Sequence, residues 1–173
     1  MNRPVTMIEP GTVRLERLLP GPIERVWAYI IESDKRAKWL AAGEFDLRVG
    51  GKIRLEFDNA RLPNDEVVAA QCRGKGTGRV DGVITRLEPM RRLSHTWPWQ
   101  GTQTEVTYEL TSRGKDVLLV IVHRRLEGRG LQAGVMGGWD VHSGILADIL
   151  EGRKPRSFWS AHAQAEKEYA AAL

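Results

Sequence analysis

The sequence lacks the features of membrane-spanning and disulfide-stabilised proteins. Cysteine occurs once, at Cys72, so an internal disulfide cannot form. The longest uninterrupted apolar runs, such as 117–122, have six residues, whereas a membrane-spanning helix needs about 20. The N-terminal segment beginning Met1-Asn2-Arg3-Pro4 contains no apolar stretch of the kind that a secretory signal requires. We therefore expect no membrane span and a cytoplasmic location.

A contiguous basic surface is also missing. Lysine and arginine total 26 against 22 acidic residues, which gives a formal net charge of +4. The basic residues are scattered along the chain, and the densest groups are the pairs Arg91-Arg92 and Arg124-Arg125. Because phosphate backbones are bound by a continuous basic stripe, nucleic acid is not an expected partner.

Motifs for metal, phosphate and nucleophilic chemistry are absent from the sequence. It has no HExxH motif and no closely spaced pair of histidine and cysteine, so we expect no metal and no cofactor. The glycine-rich segment 74–78 lacks the Walker spacing of a phosphate-binding loop. Ser143 adjoins His142, but neighbours on a helix point about 100° apart, so the two do not form a nucleophile and its base.

What is present indicates one α+β domain. The length of 173 residues, with 42% hydrophobic and 28% charged residues, is typical of a single globular domain. Alternating apolar residues predict strands over 13–19, 44–49, 52–58, 78–87, 92–99, 103–111 and 116–126. Helical spacing predicts helices over 23–31, just after Ser33, over 135–150 and over 158–172. Gly50-Gly51 is expected to form a tight hairpin turn, and 59–77 a long loop or flap.

The order of these elements predicts the architecture. Two short helices follow the first strand, six further strands form sequential hairpins, and a long helix comes after them. We expect residues 1–152 to form one domain and 153–173 to form a helical C-terminal extension. The last strand, which is apolar on both faces, is predicted to lie inside the sheet. The apolar stripe of the long helix must be buried against that sheet, and small residues at the contact would leave a cavity.

Six short motifs resemble those of a known family. They are 22–27, Trp39-Leu40, 49–54, 93–97, 120–123, and Gly138-Trp139 with the apolar helical residues that follow. The chain resembles proteins similar to the C-terminal domain of the activator of heat shock protein 90 ATPase (the AHSA family), within the START-like (SRPBCC) helix-grip superfamily. The resemblance implies a curved antiparallel sheet wrapped around the long C-terminal helix. His142 departs from the pattern, since the family usually has leucine there.

Three of the four histidines are expected at the contact between sheet and helix. His95 and His123 share the parity of the apolar residues in their strands, and His142 lies on the apolar stripe of the long helix. One interpretation is a metal site or an acid/base pair. The simpler interpretation, which we favour, is that each is a partly buried imidazole bonded to a hydroxyl or backbone group.

Aromatic residues predict a binding cavity between the sheet and the long helix. Six tryptophans are many for a small core, and several lie on strand and helix surfaces that face each other. Core packing is an equally good explanation for any one of them. The predicted ligand-binding residues are Phe57, His95, Trp97, Trp99, Tyr108, Ile121, His123, Trp139, His142 and Leu146.

Three functions are compatible with the sequence. The leading hypothesis is non-catalytic binding of a small hydrophobic, aromatic or lipid-like molecule in the cavity. The family resemblance implies a second, a cochaperone-like module with a chaperone as its partner. The third is a cyclase- or hydrolase-type enzyme that uses His95, His123 or His142 as general acid or base. A monomer or a homodimer is expected.

Overall fold

The computed structural model describes residues 4–64 and 75–173. The strands are β1 (Thr6–Glu9), β2 (Thr12–Pro20), β3 (Lys52–Asp58), β4 (Thr77–Glu88), β5 (Arg92–Trp99), β6 (Thr102–Arg113) and β7 (Asp116–Arg124). The helices are α1 (Ile23–Ile31), α2 (Ser33–Arg36), α3 (Arg129–Leu150) and α4 (Phe158–Ala172), with a 3-10 turn at Asn59–Arg61. Most of the predicted loop 59–77, with Cys72, lies outside the described residues.

The strands form one antiparallel sheet in the order β1-β2-β7-β6-β5-β4-β3. Neighbours in the chain pair as hairpins from β3 to β7, and β2 then pairs with β7, so the last strand lies inside the sheet as predicted. The sheet is curved and unclosed. The α+β helix-grip architecture predicted from the sequence is therefore confirmed.

The long helix α3 provides the second layer of the domain. Its apolar stripe packs toward β2 and the rest of the sheet, and the middle of the helix is almost continuously buried. It begins at Arg129, earlier than the predicted 135, because the glycines of its first turns are accommodated in the helix. Helix α4 packs along α3 and places Phe158 and Tyr169 in the core.

Charged side chains attach the extension 153–173 to this layer. Asp140 of α3 lies 2.5 Å from the buried Arg17 of β2, and it also accepts a 3.0 Å hydrogen bond from Tyr169. Further along α3, Asp148 receives two hydrogen bonds from the Arg156 guanidinium, at 2.8 and 3.1 Å. These contacts fix α4 beside the end of the sheet at which the candidate site lies.

The structure differs from the sequence prediction at two places. Strand β1 was not predicted, because its four residues are mostly exposed and carry no apolar alternation. The predicted strand 44–49 is wrong as a continuous strand: residues 42–46 pair with β3 through backbone hydrogen bonds and the bridges Ala42–Glu56 and Phe45–Ile53, whereas 47–49 is irregular. The chain turns at the predicted glycines, with a φ of +83° at Gly50, but the turn is longer than the two residues predicted, since Asp46 N–H donates to the carbonyl of Lys52 at 2.9 Å.

Arg36 holds the backbone just before this segment. The guanidinium is buried and donates hydrogen bonds to the carbonyl oxygens of Ala41 (3.1 Å), Ile30 (3.0 Å) and Gly43. It also lies 3.8 Å from the centroid of the Phe45 ring. Two of these acceptors, Ala41 and Gly43, immediately precede the predicted arm. The side chain therefore fixes the entry to the arm, where Gly43 has a φ of +115°.

Candidate functional site

A cleft of about 610 Å³ lies between the sheet, α3 and α4. Six of the predicted site residues line it: Phe57, Trp97, Trp99, His123, Trp139 and His142. Trp97 forms the centre of this aromatic wall, since its ring centroid lies 5.6 Å from that of Phe57 and 5.8 Å from that of Trp139. Trp99 lies at the rim and is 40% exposed. The wall offers the flat apolar surface that aromatic ligands pack against.

The other four predicted residues lie behind this wall. They are His95, Tyr108, Ile121 and Leu146, all of them fully buried and none of them lining the cleft. Strand parity correctly places His95 on the same face as Trp97 and Trp99. Alternation along a strand predicts which face a residue lies on, but not where along the strand the core ends and the cleft begins. The sequence therefore could not show that these four residues belong to the core.

Several cleft residues were missed by the sequence reasoning. Gly130, Gly134 and Gly138 line the cleft from α3, and a Cβ atom built on any of them would meet no atom within 4 Å. Their spacing of four residues places all three on one helix face, so the signal was visible in the sequence. His162 and Glu166 line the cleft from α4, whose position the sequence does not reveal.

A chain of hydrogen bonds joins the polar atoms of the aromatic wall. The Trp139 indole N–H donates to Nδ1 of His123 at 3.1 Å, so that nitrogen must be the acceptor. Nε2 of His123 then carries the proton and donates to the Thr104 hydroxyl at 2.7 Å. The hydroxyl in turn donates to the carbonyl of Trp97 at 2.6 Å. Each polar group in this chain is satisfied by its neighbour.

This chain determines what His123 can do chemically. Burial, with a smaller contribution from the nearby His95, lowers its pKa to about 3. The imidazole is therefore neutral at pH 7, and its basic lone pair is already occupied by Trp139. A general base needs a free lone pair and a pKa near the working pH, so the arrangement favours a structural role for His123.

His142 occupies the opposite side of the cleft, where α3 meets the segment after α2. Its Nδ1 lies 2.7 Å from the carbonyl oxygen of Trp39, and a carbonyl can only accept, so Nδ1 carries the proton. Burial lowers the pKa of His142 to about 4, although the bond to Trp39 opposes that shift. The ring packs against Phe158 of α4, with centroids 5.0 Å apart.

His95 and Tyr108 contain buried polar atoms without partners. His95 donates from Nδ1 to the carbonyl of Thr96 at 2.9 Å, but its Nε2 and the Tyr108 hydroxyl are fully occluded and make no hydrogen bond. The two rings lie 5.8 Å apart. Unpartnered buried groups cost free energy, so this pair is a weak point of the core.

Replacing Tyr108 with phenylalanine should therefore leave the free energy of unfolding unchanged or raise it by up to about 1 kcal/mol, because it removes an unsatisfied hydroxyl and keeps the ring. Urea unfolding of the wild type and of Tyr108→Phe measures the difference. Tyr108→Leu, which removes the ring as well, is the control and should destabilise the protein. A loss of more than about 1 kcal/mol in Tyr108→Phe would mean that the hydroxyl has a partner, such as a buried water.

Within residues 4–64 and 75–173, no three side chains of the His, Cys, Asp and Glu types are grouped so that they could hold a metal ion. In the same part of the chain, no helix is both long and apolar enough to cross a bilayer.

An antiparallel sheet that holds a long C-terminal helix, with a cleft between the two, defines a helix-grip protein of the START-like class. Residues 20–151 match the sequence model described as activator of Hsp90 ATPase homolog 1-like protein. The chain belongs to this family, as the motifs in the sequence indicated. No curated protein matches it.

Solved structures support the same fold. A protein from Bordetella parapertussis, solved by solution NMR, is 39% identical with a TM-score of 0.80, over 97% of this chain and 89% of that one. CalU16 from Micromonospora echinospora is 21% identical with a TM-score of 0.69, over 99% of this chain and 96% of its own. The Aha1 dimer from Colwellia psychrerythraea is 18% identical with a TM-score of 0.61, over 81% and 96%. The match to the Bordetella protein includes nearly all of the chain, and so extends beyond residues 20–151.

Proposed function

We propose that the cleft binds a small hydrophobic or aromatic molecule without chemical turnover. The observation that carries this proposal is the aromatic wall formed by Phe57, Trp97 and Trp139, in a cleft of about 610 Å³. Ligand pockets in proteins are commonly of this size and are lined by apolar and aromatic side chains with a few polar groups. Because Trp139, His123 and Thr104 bond to one another or to the Trp97 carbonyl, an apolar ligand would cover these groups without leaving them unpaired.

The glycines of α3 give this proposal a second support. Gly130, Gly134 and Gly138 each cost the helix about 1 kcal/mol relative to alanine, yet no neighbouring atom requires their small size. What they provide is empty space beside the aromatic wall. The helix is thus less stable than it would be with alanine at these three positions, and the missing side chains keep the cleft open.

A fluorescent anilinonaphthalene dye should bind the native protein stoichiometrically and alter tryptophan emission, because Trp97 and Trp139 face the cleft. Gly138→Leu should abolish this binding by filling the cleft, while the protein stays as stable or gains about 0.5–1 kcal/mol from helix propensity. Fluorescence titration and urea unfolding on the same samples measure both effects.

Gly137→Ala is the matched control for the dye experiment. Its Cβ would lie 3.5 Å from the backbone of Glu166, an ordinary contact, and Gly137 does not line the cleft. Dye affinity should therefore be unchanged. The proposal fails if the native protein shows no saturable binding, or if Gly138→Leu binds the dye as well as Gly137→Ala does.

Chaperone stimulation is the competing function, because the family description names an activator of the Hsp90 ATPase. It predicts that the purified protein raises the ATPase rate of Hsp90, and that Gly138→Leu does so equally well, since the filled cleft leaves the outer surface unchanged. Ligand binding predicts no such stimulation. Measuring the ATPase rate with wild type and Gly138→Leu therefore separates the two functions.

A further inference from the structure

One ring nitrogen of His142 makes a hydrogen bond, and the other makes none within the described residues. Nδ1–H donates to the Trp39 carbonyl at 2.7 Å, which fixes the tautomer and leaves Nε2 with a lone pair. No described residue donates a hydrogen bond to Nε2. Unlike Nε2 of His95, this atom is not among the occluded polar atoms of the interior. Because His142 is a cleft-lining residue, its acceptor is accessible from the cleft.

Three other polar side chains of the cleft wall differ from His142. His123, Thr104 and the Trp139 indole N–H already bond to one another or to the Trp97 carbonyl. Among these side chains, His142 is therefore the one whose acceptor nitrogen, Nε2, has no hydrogen bond within the described part of the chain. Its ring is held between Phe57, 6.3 Å away, and Phe158, 5.0 Å away, so the direction of the lone pair is fixed.

We propose that the cleft selects an aromatic ligand that carries a hydroxyl or N–H donor, and that Nε2 of His142 accepts that hydrogen bond. This inference rests on the proposed binding function and specifies its ligand class. The ring of such a ligand packs on the wall of Trp97 and Trp139 while its donor reaches His142. A carboxylate has no proton to donate to Nε2 of His142, so at this position it is disfavoured relative to a phenol or an indole. Leucine at this position would provide no such selection.

Two probes of nearly equal size test the donor requirement. 2-Naphthol carries a hydroxyl where 2-methylnaphthalene carries a methyl group, and both present the same ring system to the cleft. The measured quantity is the ratio of their dissociation constants. In His142→Leu the dissociation constant of 2-naphthol should rise about tenfold relative to that of 2-methylnaphthalene, because one hydrogen bond is lost for 2-naphthol alone. The change of ratio cancels the general difference in hydrophobicity between the probes.

Val135→Ala is the matched control, since Val135 lines the cleft with an aliphatic side chain. It should weaken both probes and leave their ratio unchanged. A second measurement uses the wild type and does not depend on the folding of a variant. Nitrogen NMR of the imidazoles should show a shift of the His142 Nε2 resonance on addition of 2-naphthol and a much smaller one with 2-methylnaphthalene.

The outcomes separate this inference from the function on which it rests. If neither probe binds, the proposed function fails and the inference fails with it. If both probes bind but the ratio is the same in His142→Leu as in the wild type, the cleft binds apolar ligands and the donor requirement is overturned. Equal shifts of the Nε2 resonance with both probes would overturn it as well. A ratio that changes in His142→Leu and not in Val135→Ala supports it.

Discussion

Acidification below pH 6.5 should unfold the protein steeply, well before its carboxylates are protonated. Burial lowers the pKa of His95 to about 4, of His123 to about 3 and of His142 to about 4, whereas the ordinary value is 6.5. Between pH 6.5 and 4 the unfolded chain therefore binds protons at three sites that the native state keeps neutral. Folding stability falls with decreasing pH wherever the unfolded state binds more protons.

The size of this effect follows from the number of sites. Each proton bound only by the unfolded chain lowers the free energy of unfolding by about 1.4 kcal/mol per pH unit, so three of them approach about 4 kcal/mol per unit. Domains of this kind are stable by about 5–15 kcal/mol, so we expect loss of the native state between pH 6 and 4. Urea unfolding at a series of pH values measures the slope.

Two comparisons test this explanation of the acid sensitivity. In His142→Leu the free energy of unfolding should depend less steeply on pH, by the contribution of about one proton, since one of the three sites is removed. Asp148 should contribute only at lower pH: burial raises its pKa, but the hydrogen bonds from Arg156 and Arg153 outweigh that and hold it at about 2. A stability that stays constant from pH 6.5 to 5 would show that the three imidazoles are not buried in the native state.

The sequence predicted the elements whose pattern is local. Helix α1 begins and ends at the predicted residues, 23 and 31, because the spacing of its apolar residues marks a single face. Strand β5 likewise spans the predicted 92–99. The segment 44–49 has an equally good alternating pattern, yet only its first residues pair with β3, and hydrogen bonds from Arg36 to the carbonyls of Ala41 and Gly43 fix the chain just before it. Such a contact leaves no periodic signal.

The sequence predicted which face of each strand points toward the candidate site, but not how deeply each residue on that face is buried. Parity brought His95, Trp97 and Trp99 to one face, but the structure places the first in the core, the second on the cleft wall and the third at the rim. That gradient depends on where α3 and α4 cross the sheet. The choice of tautomer at His123 depends on Trp139, sixteen residues away, and could not be read from either residue alone.

Replacing Trp139 with alanine should lower the free energy of unfolding by about 3–5 kcal/mol. The side chain is buried, with ring centroids 5.8 Å from Trp97 and 6.0 Å from Tyr108, and it supplies the hydrogen bond to Nδ1 of His123. Alanine removes both the packing and the donor. Chemical unfolding measures the total loss, which should exceed that of any single substitution at the cleft rim, such as Trp99→Ala.

Trp139→Phe separates the packing from the hydrogen bond, because it keeps an aromatic ring and removes the indole N–H. We expect a loss of about 1–3 kcal/mol, since a buried acceptor on His123 is left without its donor. Burial is the main cause of the low pKa of His123, and the phenylalanine ring keeps the site buried, so that pKa should stay well below 6.5. The acid slope should therefore match that of the wild type, in the same urea series that tests His142→Leu. A Trp139→Phe variant as stable as the wild type would mean that the hydrogen bond to His123 contributes nothing to stability, and a shallower slope would mean that this bond, rather than burial, keeps His123 neutral.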